Sequence, residues 1–265
     1  MIKAVIFDVD NTLYSYTKAH EAAFQALTAY AEKELGLSAG MFERLHKEAE
    51  RELKAYMGEA AAFHNRCIRY QTILERRGLP LSPHVLAMYD LYWGTLLAAS
   101  APSDGAVEVL RKLKERGVCL GVGTDMTACM QFRKLERLGL LPYMDFLVSS
   151  EEAGVEKPAE AFFARCAEKA DCRRTECLFV GDSLEKDVRG ALNAGLHAVW
   201  YRPQGLCAQE TAPQITALMQ LLSSPRRSAA LAVTRSARVE SSPPEIPTTT
   251  LWHPVCSRRF FKPMA

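Results

Sequence analysis

The chain has 265 residues, 48% of them hydrophobic and 24% charged, with a net charge of +2. That length buries a sizeable core with room for a second domain, and the balance is that of a soluble globular protein. Residues 225–265 hold seven Lys/Arg against two Asp/Glu, which leaves the preceding stretch at −3, without a basic face that would suit nucleic acid.

The chain opens on Ile2-Lys3-Ala4-Val5-Ile6-Phe7, an apolar, β-branched run that reads as a strand buried on both faces. It stops at Asp8-Val9-Asp10-Asn11-Thr12-Leu13-Tyr14. Two carboxylates two residues apart at a strand end repel by about 4 kcal/mol at ~4 Å and an effective dielectric of ~20. A hard divalent cation with oxygen ligands offsets that cost. Taken alone, the same string also fits an ordinary strand-to-turn exit, since Asp and Asn favour turns.

Residues 17–99 change character. Four Ala/Leu/Glu-rich segments (18–35, 41–57, 61–77 and 83–98) are broken at Gly36, Gly58 and Gly78-Leu79-Pro80, and Phe24, Leu27, Ala31 and Leu35 recur at helical steps. They predict a small helical bundle inserted after the first strand. From Pro102 onward helix and strand alternate. Strands are expected at 118–124, 146–149, 177–181 and 197–201, with helices at 106–116, 130–138, 158–170 (Pro158 in its first turn) and 184–194. Such alternation predicts an α/β fold with a Rossmann-like parallel sheet and helices on both faces. The expected domains are a discontinuous core (1–16 and 100–222), a helical cap (17–99) and a tail (223–265). Six of the thirteen prolines fall in that tail, and with no apolar period it is expected to be disordered. Trp252, Phe260 and Phe261 beside Arg258 and Arg259 are its one candidate docking peptide.

Ligands of such sheets gather at the carboxyl ends of the strands. The polar residues there are Asp8 and Asp10, then Thr124 and Asp125, then Glu151 and Lys157, then Asp182 and Asp187. With Asp8-Val9-Asp10-Asn11-Thr12, the strand ending at Thr124, Lys157 ahead of its helix and Gly181-Asp182-Ser183-Leu184-Glu185-Lys186-Asp187 in this order, the chain resembles the haloacid dehalogenase superfamily over residues 1–205, specifically its phosphatases with a helical cap after the first strand. The resemblance implies a phosphomonoester hydrolase with Mg2+ held by the Asp8 carboxylate, the Asp10 main-chain carbonyl and Asp182, and with Asp187 behind them orienting a metal water or pairing with Lys157. In the dehalogenases of the family the second acid is missing, so Asp10 favours phosphate esters over haloacids. Where the family often has Asn, this chain has Asp125, which must turn away from a phosphate or meet a cation.

Chemistry assigns matching roles. Asp8 is the candidate nucleophile, forming an aspartyl-phosphate, and Asp10 the candidate general acid and then base. Thr124 can donate its hydroxyl to a phosphate oxygen, and Lys157 can stabilise the transferring phosphoryl group. Asn11, Thr124 and Asp125 are candidate substrate contacts. The insertion is expected to act as a lid that expels water, with specificity from Tyr14 and Tyr16 at the hinge and from His64, Asn65, Arg66 and Tyr70 in the cap. His20, His46 and His84 show no metal spacing. A phosphosugar mutase would use the same core residues, and a ligand-binding protein that has lost turnover would keep the same fold.

The eight cysteines show no zinc or redox spacing and read as reduced thiols. The longest apolar stretch, 91–101, is too short to span a bilayer, and a strand that starts at residue 2 leaves no place for a secretory leader. The expected setting is the cytoplasm, and the expected partner is a small phosphorylated metabolite, with no nucleic acid and no membrane.

Overall fold

The computed structural model describes residues 1–58 and 60–223. The tail expected to be disordered lies, from residue 224 on, outside the described residues. Those described form a parallel sheet from β1 (Ala4–Phe7), β2 (Cys119–Thr124), β3 (Phe146–Ser149), β4 (Cys177–Gly181), β5 (His197–Tyr201) and β6 (Gln214–Ile215), in the order β3-β2-β1-β4-β5-β6. Five of these match the strands expected from sequence to within two residues. The sixth was not expected, because two residues carry no readable alternation.

β1 is central and fully buried. Its side chains alternate, Val5 and Phe7 entering one core and Ala4 and Ile6 the other, so every position is apolar until Asp8. From β1 the chain builds outward through β2 and β3, then returns to the other side of β1 to add β4. This reversal opens a crevice at the carboxyl ends of β1 and β4, where Asp8 and Asp182 stand.

Between β1 and β2 lie α1 (Tyr16–Leu35), α2 (Ala39–Met57), α3 (Arg66–Arg76) and α4 (His84–Ala99), followed by α5 (Ala106–Glu115). α1 starts where the Ser15 side chain accepts from the Lys18 amide and ends at Gly36, whose φ of 65° suits glycine. It buries Ala19, Ala23, Leu27, Ala31 and Leu35, a stripe of four-residue steps narrow enough for α4 to pack closely. Phe24, expected within the stripe, lies at its margin and stacks on Phe42, 5.8 Å between centroids. The third helix expected from sequence is interrupted. A 3₁₀ turn at Ala61–His64 precedes α3, and the Asn65 side chain caps α3 by accepting from the Cys67 amide at 3.0 Å.

His46 on α2 is 5% exposed, and burial together with Arg69 and Arg66 pushes its imidazole from 6.5 down to about 2. The folded protein therefore holds His46 neutral where the unfolded chain protonates it, so stability is complete above pH 6.5 and is lost as pH falls below it. Urea unfolding at pH 7 and pH 5 should show His46 contributing about 1.4 kcal/mol of loss per pH unit below 6.5. His46→Asn should flatten that slope, and an unchanged slope would refute the assignment.

The rest of the core adds α6 (Ala128–Arg137), α7 (Ser150–Ala153), α8 (Glu160–Lys169) and α9 (Gly190–Asn193). Pro158, expected in the first turn of α8, precedes that helix instead and follows a cis Lys157–Pro158 bond. The helix expected after β4 opens with a widened turn at Leu184–Arg189, in which the Val188 amide reaches the Ser183 carbonyl at 3.2 Å. No helix among the described residues is long and apolar enough to cross a membrane.

Candidate active site

Asp8 leaves the buried end of β1 and is 6% exposed. Its Oδ1 accepts from Lys157 Nζ at 2.7 Å, and the same ammonium donates to Asp187 Oδ1 at 2.7 Å. Asp187 comes from the widened turn after β4, and its Oδ2 accepts from the Ser183 amide at 2.9 Å. This placement depends on Gly181, because a Cβ there would lie 2.3 Å from Asp187 Oδ2. Asp8, Asp182 and Asp187 each offer an oxygen within 4.8 Å of the others'.

Three carboxylates and one ammonium leave an excess of negative charge. Burial, followed by the Asp187 carboxylate, lifts Asp182 to about 6. Burial lifts Asp8 as well, against the pull of Lys157, and Asp187, Asp10 and Asp182 add to the rise. Lys157 is buried too, yet Asp187 and Asp8 hold its ammonium well above the usual range. No Lys or Arg forms an ion pair with Asp182 among the described residues. Hard oxygen donors from two strand ends with uncompensated charge fit a divalent cation.

Asp10 faces other partners. Lys134 Nζ donates to its two oxygens at 2.7 and 2.9 Å, Tyr14 Oη to Oδ1 at 2.5 Å, and Gln131 Nε2 to Oδ2 at 3.2 Å. Burial acts to raise its pKa, but the Lys134 charge and these hydrogen bonds outweigh it and hold Asp10 ionised below the usual carboxylate range. Lys134 and Gln131 were missed from sequence, where 130–138 was read only as a helix. A signal was present: the buried face of α6 is Met130, Gln131, Lys134 and Leu135, so two polar residues occupy the stripe that should be apolar.

The remaining candidates divide. Thr124 is 1% exposed at the end of β2; its hydroxyl donates to the Asp125 carbonyl at 3.2 Å and accepts from Gln131 Nε2 at 2.8 Å. Asp125 meets one cation and one backbone donor: Oδ2 accepts from Lys186 Nζ at 3.0 Å, while Oδ1 accepts from the Lys157 main-chain amide at 3.0 Å. Asn11, at φ 61°, turns its side-chain oxygen to the Thr17 amide and hydroxyl, at 3.1 and 3.2 Å. With Asp182 it lines a cavity of about 980 Å³ at the strand ends. Glu151, expected at this edge, accepts from the Ala128 amide and so caps α6.

In the inserted helices, His64 Nε2 meets Glu156 Oε1 at 2.7 Å, tying the start of α3 to the residue before Lys157. Arg66 donates through Nη2 to the hydroxyls of Tyr16 at 2.9 Å and Tyr92 at 3.0 Å. Tyr70 is fully buried with no partner for its hydroxyl among the described residues, which puts it in the helical core rather than on a face open to a ligand. Asn65 is the α3 cap.

A parallel sheet with its acids at the switch point and helices inserted after the first strand is a doubly wound α/β fold with a helical insertion. Over residues 2–195 the chain matches the haloacid dehalogenase-like hydrolase family, and it belongs to that family. It is 38% identical over 206 residues to the ribulose-1,5-bisphosphate 5-phosphatase of Halopiger xanaduensis, covering 77% of this chain and 86% of that protein. Against the glyceraldehyde 3-phosphate phosphatase of Methanopyrus kandleri it is also 38% identical, over 204 residues, or 76% of this chain and 84% of the other. Among solved structures, a 2-haloacid dehalogenase from Pseudomonas syringae superposes with a TM-score of 0.67 at 26% identity, covering 84% and 97% of the two chains. Within its family, the protein is a phosphatase.

Proposed function

We propose that the protein hydrolyses a small phosphorylated sugar, with Mg2+ as its cation and Asp8 as the nucleophile. The observation that carries this reading is the convergence of Asp8, Lys157, Asp182 and Asp187 from three separate segments into one buried notch. Both relatives named above act on small sugar phosphates. The Asp8 and Asp182 carboxylates and the Asp10 main-chain carbonyl would hold the Mg2+, which neutralises the excess negative charge and lets a phosphate dianion approach.

An Asp8 oxygen attacks phosphorus as the ester oxygen departs, giving an aspartyl-phosphate and an alkoxide that takes a proton from Asp10. Asp10 then accepts a proton from water as that water attacks the aspartyl-phosphate, releasing inorganic phosphate and restoring Asp8. Lys134 favours the ionised Asp10 of the second step. The protonated Asp10 of the first step is favoured once a phosphate dianion lies beside it, because a like charge raises a carboxylate's pKa. Lys157 supplies positive charge to the transferring group. Residues 17–99 serve as a cap domain over a core of 1–16 and 100–222, with His64–Glu156 as one latch between them. The setting is the cytoplasm, in keeping with the seven cysteines among the described residues, which stand as free thiols.

A panel of sugar phosphates assayed for phosphate release tests this. Release should require a divalent cation, vanish with a chelator and return with excess Mg2+. Undiminished release in chelator would refute the cation, and no release from any ester would refute the activity.

A further inference from the structure

The helical insertion carries positive charge that its own side chains do not neutralise. Arg66, the first residue of α3, has no carboxylate within ion-pair distance among the described residues. Both of its hydrogen bonds to protein run through one nitrogen, Nη2, to the phenol oxygens of Tyr16 and Tyr92, while its guanidinium lies 4.6 Å over the Tyr92 ring. Among the described residues the Nε and Nη1 hydrogens have no protein acceptor and remain for a ligand. Arg69, one turn on, is 3% exposed, and its carboxylate partner is Glu50 at 3.2 Å, whose side chain is 47% exposed. The field of these two cations contributes to keeping His46 and His20 neutral.

This charge sits beside the reaction centre. Tyr16, which accepts from Arg66, has its ring 5.7 Å from Lys134 Nζ, the ammonium that holds Asp10. Two residues before Arg66, His64 reaches Glu156, the neighbour of Lys157. A leaving group departing toward Asp10 therefore faces Tyr16 and, behind it, an arginine whose Nε and Nη1 hydrogens have no protein acceptor among the described residues. A partly buried guanidinium without a counter-ion is costly, and an incoming anion relieves that cost with charge-assisted hydrogen bonds.

We infer that Arg66 recognises a second anionic group on the leaving portion of the substrate, so that the preferred esters are small phosphorylated sugars or acids carrying a further phosphate or carboxylate. This rests on the phosphatase reading above and narrows it, since it separates doubly anionic substrates from sugar monophosphates with neutral tails.

The test compares kcat/KM of the full chain with Mg2+ on matched pairs: a pentose bisphosphate against the same pentose with one phosphate, and a phosphorylated hydroxy acid against the corresponding alcohol. One charge-assisted contact predicts a preference of about tenfold or more for the doubly anionic member of at least one pair. The pair that shows it tells phosphate from carboxylate. Arg66→Gln should bring that ratio close to one, and Arg66→Lys should restore part of it. Should Arg66→Gln fail to fold, the wild-type ratio decides, together with its decline as ionic strength rises. A wild-type ratio near one in both pairs, or a ratio that survives Arg66→Gln, overturns the inference. If an aryl phosphate with no second charge is still hydrolysed, the failure is confined to Arg66. If no ester at all is hydrolysed, the phosphatase reading falls and this inference falls with it.

Discussion

Asp8→Asn is expected to lower phosphate release by roughly 10⁴-fold or more while leaving the fold intact. The amide matches the carboxylate in shape but is not a nucleophile toward phosphorus, so no aspartyl-phosphate forms. Stability should change little, because two effects oppose each other. Lys157 loses a partner at 2.7 Å but keeps Asp187 at the same distance, and the crowd of three carboxylates within 4.8 Å loses one charge. The measurement is single-turnover phosphate release on an ester that the wild type cleaves, paired with thermal melting. Activity within tenfold of wild type would show that another group attacks phosphorus.

Lys157→Met should damage both stability and turnover. Lys157 is 4% exposed, and its ammonium is shared by Asp8 and Asp187. Methionine fills much of the same volume and removes the charge, leaving buried carboxylates facing one another. Breaking a buried pair by deleting one partner costs about 3–5 kcal/mol. Urea unfolding in chelator at neutral pH should show that loss, and Mg2+ should stabilise the variant more than the wild type, since the cation then stands in for the missing ammonium. Turnover should also fall, by roughly 10²-fold or more, through loss of positive charge at the transferring phosphoryl group. Wild-type stability in chelator would mean that the notch does not hold its acids ionised.

The catalytic candidates on the core were legible in the sequence because of a simple conflict. A strand buried on both faces admits only apolar residues, so Asp8 after Phe7, Thr124 after Gly123 and Asp182 after Gly181 stand out against their runs. Lys134 and Gln131 carried a weaker form of the same conflict, two polar residues on the buried stripe of a ten-residue helix. Tyr70 shows the limit from the other side: its sequence neighbourhood suited a ligand-reading face, and packing placed it in the interior.

By itself the sequence determined the alternation that builds a parallel sheet, the helical insertion after the first strand, and which residues end each strand, since those follow from periodicity and from the expense of burying charge. Only the tertiary structure decided which of those residues meet. Lys157 joins Asp8 across 149 positions, Lys134 joins Asp10 across 124, and His64 joins Glu156 across 92. Such pairings depend on how far a helix turns and where a loop returns, and local pattern has no term for either. The charge balance of the notch, and the lack of a carboxylate partner for Arg66 among the described residues, belong to the folded arrangement alone, because they are set by distances that the linear chain does not hold.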